Sequence, residues 1–93
     1  MNRFKIQYSY ADVVEPDRFV FEGELIEGSA QVGMTFRVPE AGHTWAFRIL
    51  SIRFIPRAGG RQILGLEVMN AAPGYLSGLG AGLTAELYKN DVA

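Results

Sequence analysis

The chain has 93 residues, a formal net charge of −1, 48% hydrophobic residues, one histidine and no cysteine. This length holds one hydrophobic core and excludes a catalytic domain joined to a separate substrate domain. The lack of cysteine excludes disulfide frameworks and thiolate metal sites, and the near-zero charge argues against neutralising many phosphates at once.

Hydrophobic alternation with a period of two recurs along the whole chain, and no long stretch keeps a helical period, so strands are expected throughout. The first runs over about Arg3 to Tyr10, with Phe4, Ile6, Tyr8 and Tyr10 on one face. Asp12 to Asp17, with Pro16, reads as a loop. A second strand, Arg18 to Glu27, sends Phe19, Phe21 and Leu25 inward and Arg18, Glu22 and Glu24 outward. Gly23 falls at an inward position, which a strand tolerates where it bends sharply or where another backbone comes close. Gly28 and Gly33 bracket the next turn, and a short strand from Met34 to Val38 ends at Pro39.

His43 to Phe54 reads as a fourth strand with a change of phase. Trp45, Phe47 and Ile49 belong to one alternation and Leu50, Ile52 and Phe54 to the other, so a bulge or sharp coil is expected at Ile49 and Leu50. Arg57-Ala58-Gly59-Gly60-Arg61 reads as a hairpin loop, and the strand Gln62 to Met69 buries Leu64, Leu66 and Val68. A glycine-rich loop from Asn70 to Ala81 leads to a last strand, Gly82 to Lys89, with Leu83, Ala85 and Leu87 on one side. Residues 90–93 read as a frayed polar tail.

Six strands that each have one apolar face, with no helix to cover them, must curl on themselves. The expectation is a single all-β domain over residues 1–93, a small closed or partly closed antiparallel β-barrel of about six strands. No apolar run reaches the roughly 18 residues of a membrane span, and the opening Met1-Asn2-Arg3-Phe4-Lys5 lacks a secretory pattern. A cytoplasmic protein without membrane association is expected.

The segment Phe21-Glu22-Gly23-Glu24-Leu25-Ile26-Glu27-Gly28-Ser29-Ala30-Gln31-Val32-Gly33-Met34-Thr35-Phe36 resembles the second, β-barrel domain of translational GTPases such as elongation factor Tu. Gly23, Gly28 and Val32-Gly33 match that family's glycine spacing; Ile52, Leu64-Gly65-Leu66 and Leu83 to Leu87 are similar to its later strands. The resemblance implies a barrel of that kind standing alone. No phosphate-binding loop of the G-x-x-x-x-G-K-[ST] type occurs in the chain, and the resemblance carries over no contact residues.

Several residues invite a chemical reading. Gly78-Leu79-Gly80-Ala81-Gly82 lacks the glycine that a phosphate fingerprint needs at Leu83, and it precedes a strand, so it reads as an inter-strand loop. His43 stands in a turn without an adjacent partner and reads as solvated. Glu22 and Glu24 share the outer face near Arg18 and also read as solvated. Trp45 and Phe47 match the inward face and read as core, in preference to a base-stacking platform.

The candidate ligand-binding residues are Arg48, Arg53, Arg57 and Arg61. Two lie on the outer side of one strand and two flank the tip of its hairpin, which would make a basic ridge. Charge is also uneven along the chain, with seven acids against four bases in residues 1–40 and three against five in residues 41–93. The function expected is a non-enzymatic binding or interaction module acting through a protein partner, with no cofactor and no metal. The alternative is a weak RNA or ribonucleoprotein binder using the arginine-rich hairpin.

Overall fold

The computed structural model of the chain describes residues 2–15, 17–40, 42–56, 62–69 and 80–89, with backbone alone at 40, 43 and 62. The expected hairpin loop 57–61, most of the loop 70–81, the tail 90–93 and the side chain of His43 lie outside the described residues.

Among the described residues seven strands form, in place of about six: β1 (Asn2–Ala11), β2 (Arg18–Glu27), β3 (Thr35–Glu40), β4 (His43–Arg48), β5 (Ser51–Pro56), β6 (Gln62–Met69) and β7 (Thr84–Tyr88). They make one antiparallel sheet in the order β4-β3-β7-β1-β2-β6-β5. The extra strand comes from the phase change in His43 to Phe54. The backbone leaves the ladder at Ile49 and Leu50, which divides that segment into β4 and β5.

β4 and β5 are the two edges of the sheet, yet only two residues join them. Such a link spans at most about 11 Å, so the sheet has to curl until its edges approach. The Ile49 N–H donates to the Met34 carbonyl on the β3 side (2.8 Å), and the Leu50 N–H donates to the Glu67 carbonyl on the β6 side (2.8 Å). The result is a partly closed antiparallel β-barrel.

Inside the curl, Phe4, Ile6, Phe19, Phe21, Phe36, Phe47, Ile49, Leu66 and Val68 form the core. Phe21 is its centre. Its ring meets Phe19 and Phe36 edge-on at 5.1 and 4.9 Å and the tilted Phe47 ring at 5.1 Å, separations that aromatic pairs favour. Trp45 is half-buried against the core and stacks on Phe47 with an interplanar angle of 10°. Pro39 falls within β3 and does not end it; it lies past the last β7 pairing at Arg37, where one side of the strand has no ladder to supply.

The alternation expected for β1 holds only as far as Ile6. Ile6 pairs with Gly23 but Tyr8 pairs with Glu22, so Gln7 is an extra residue and the phase reverses. Tyr8 is therefore 61% exposed, and Ser9 takes the buried place. Phe54, expected in the core, is 68% exposed on the β5 edge. β2 and β6 are covered on both faces: Val20, Glu22, Ile63 and Glu67 on the outer side are all buried.

Candidate functional site

The loop between β1 and β2 is held from two directions. Asp12 accepts the Val14 N–H through Oδ1 (3.0 Å), closing an Asx turn, and the Asp12 N–H donates to the Arg18 carbonyl (2.9 Å) across the base of the loop. From β5, the Arg53 Nη2 group donates to Asp12 Oδ2 at 2.5 Å. The same guanidinium grips Glu67 on β6, with Nε to Oε2 at 3.0 Å and Nη2 to Oε1 at 2.9 Å. One planar fork thus ties the loop to two strands, a geometry that a lysine does not reproduce.

Burial adds to the hold. The Asp12 and Glu67 side chains are only 6% and 9% exposed while Arg53 is 45% exposed, so one guanidinium pairs with two nearly buried carboxylates. The Val14 N–H and the Arg53 guanidinium keep the Asp12 carboxyl below its ordinary pKa, and the two carboxylates hold Arg53 above its own. Beside them the Tyr10 hydroxyl donates to Glu22. Burial first, and then that bond to a carboxylate, push the Tyr10 hydroxyl up to about 12.

This firmly held loop presents apolar side chains to solvent. Val13 is 93% exposed and Val14 is 85% exposed, adjacent β-branched residues at the tip. Met69, 54% exposed, pairs with Arg18 at the loop base and adds to the apolar end. Glu15 and Asp17 flank the valines and are exposed; Arg18 sits 3.7 Å from Glu15.

The four arginines singled out from the sequence do not share one environment. Arg53 is engaged by Asp12 and Glu67. Arg48 is exposed on β4, opposite Thr35 and on the other side of the Ile49–Leu50 corner. Arg57 and Arg61 lie outside the described residues. Glu22, read as solvated, is 8% exposed and takes the Tyr10 hydroxyl, because the outer face of β2 is covered where that of a solitary sheet would be open.

A concavity lies on the outer face of β3, β4 and β7, an open cavity of about 250 Å³ lined by Arg37, Pro39, Thr44, Thr84, Glu86 and Tyr88. Its polar groups serve one another. The Arg37 guanidinium lies 4.8 Å from the centre of the Tyr88 ring, and the Tyr88 hydroxyl donates to Glu86 (2.7 Å). No group of three or more His, Asp or Glu able to hold a metal ion occurs among the described residues. No helix among them is long and apolar enough to cross a membrane.

No protein-family model, curated protein or solved structure matched the chain. The functional reading therefore rests on the site itself.

The sequence reading missed Asp12, Tyr10 and Glu67, and it passed over the two valines. Two signals were available. Val13-Val14 places adjacent β-branched residues inside a polar loop, and Glu67 interrupts the apolar run Leu64 to Val68.

Proposed function

We propose that the chain is a non-enzymatic interaction module that acts through a protein partner, using the β1–β2 loop as its contact. One observation carries this reading: two adjacent valines, 93% and 85% exposed, stand on a loop braced by the Asx turn and by Arg53. Single exposed apolar residues are ordinary on a soluble surface. A neighbouring pair at the tip of a braced loop is different, because binding need not order the backbone first. β-branched side chains also have little χ1 freedom left to lose. Complete burial of each valine would contribute about 1.5 kcal/mol.

The likeness in glycine spacing to the second domain of translational GTPases agrees with a module of this kind, and a cytoplasmic setting is part of the proposal. The test places a photocrosslinking residue at position 69, beside the loop base, and compares the chain with its Val13→Ser/Val14→Ser variant in a native lysate. Discrete adducts that the double variant loses support the reading. Adducts of equal yield in both, or none in either, overturn it.

A further inference from the structure

Resting on that reading, we propose that the partner presents an apolar pocket ringed by lysine and arginine, and that the β1–β2 loop enters it as an apolar tip inside an acidic collar. The loop carries Asp12, Glu15 and Asp17, and the nearly buried Glu22 and Glu67 lie on strands β2 and β6 beside it, five carboxylates against the two guanidinium groups of Arg18 and Arg53. Both cations are already committed. Arg53 holds Asp12 and Glu67, and Arg18 lies against Glu15. Asp17 and Glu15 are the exposed members, so their charge faces whatever the valines enter.

That arrangement selects among occupants. An anionic lipid surface attracts basic collars and repels this one. Nucleic acid is repelled for the same reason. A second copy of the chain would bring one acidic collar against another, and like charges brought together at an interface are unfavourable. A basic-rimmed apolar pocket is the surface that accepts the valines and the collar together. The apolar centre supplies burial, while the charged rim raises the rate of encounter and fixes orientation.

The experiment uses the position-69 crosslinking chain in the same lysate, with three additions. Charge reversal, Glu15→Lys/Asp17→Lys, is expected to lower adduct yield tenfold or more, about the effect of 1.4 kcal/mol. Raising salt from about 50 to about 500 mM is expected to lower the yield of the unmodified chain and to raise that of the reversed chain, because screening weakens attraction and repulsion alike. Vesicles of mixed phosphatidylserine and phosphatidylcholine are expected not to sediment the unmodified chain. Urea midpoints confirm that each variant is folded.

Adducts that survive charge reversal at full yield but vanish with Val13→Ser/Val14→Ser overturn the basic rim and leave protein docking standing. Adducts insensitive to the valines overturn both. Sedimentation with the anionic vesicles overturns the choice of partner in favour of a membrane.

Discussion

Gly23 lies directly against the backbone of Lys5: a β-carbon there would overlap the Lys5 carbonyl oxygen and come within 3.1 Å of the Ile6 Cα. The close approach sits where Gln7 interrupts the pairing of β1 with β2, so the strands are pressed together at the bend. Since the obstacle is backbone, no rotamer change relieves it. Gly23→Ala is expected to destabilise the fold by about 3 kcal/mol, the upper part of the range for overpacking. Gly33 has a positive φ of 93° but nothing within 4 Å of a β-carbon, so Gly33→Ala is expected to cost about 1 kcal/mol through backbone strain alone. Urea unfolding of both variants checks the pair; equal costs would contradict the register of β1 on β2.

Replacing Arg53 removes the partner of two nearly buried carboxylates. Breaking a fully buried pair costs several kcal/mol, but Arg53 is 45% exposed and water screens the remaining charges, so Arg53→Met is expected to cost about 1–2 kcal/mol. Arg53→Lys is expected to recover only part of that, because an ammonium does not span Asp12 and Glu67 as the fork does. The Val14 amide, bonded to Asp12, is expected to exchange its hydrogen faster in both variants than in the parent. Unchanged exchange there would show that Arg53 does not brace the loop.

Tyr10 makes stability depend on alkaline pH. Its hydroxyl is pushed up to about 12 from an ordinary 10.0, so folding favours the protonated phenol. The stabilisation is fully present below pH 10 and is lost as pH rises toward about 12. Tyr10→Phe is expected to flatten the stability profile in that window, measured as melting temperature against pH, while leaving the profile near pH 7 with the same shape.

Asp12 acts at the acidic end. Its folded-state pKa is lowered, first by the Val14 N–H and then by Arg53, so its contribution is present above the ordinary value of 3.8 and is lost as pH falls through the folded value. Asp12→Asn is expected to lower stability at neutral pH and to reduce the steepness of acid unfolding, followed by circular dichroism. An identical acid limb in the variant would remove Asp12 from the account.

Much of the barrel was legible because period-two alternation reports which side of a strand a residue takes. β2 matched from Arg18 to Glu27, Gly23 fell at a close approach, and the change of phase at Ile49 and Leu50 marked the corner. Alternation is silent on two matters. A single inserted residue, Gln7, reversed the phase of β1 without any local sequence sign, and so Tyr8 was placed on the wrong face. Periodicity also names a face without saying what covers it, which is why the pattern alone gives a solvated Glu22 where the structure buries it. The brace was harder still to see. Arg53 meets Asp12 across 41 positions and Glu67 across 14, a meeting that only the curled sheet brings about.

The corner at Ile49 and Leu50 also bears on the order in which the barrel assembles. Its two hydrogen bonds reach residues 15 and 17 positions away, whereas β1 and β7 bring Asn2 against Leu87. Loop closure is entropically cheaper over short separations, so the middle of the chain, from Met34 to Glu67, is expected to clasp first, with the two terminal strands zipping together late. Substitutions at Ile49 should then slow folding, while those at Ala85 in β7 should chiefly speed unfolding. The barrel would be sealed from its waist outward.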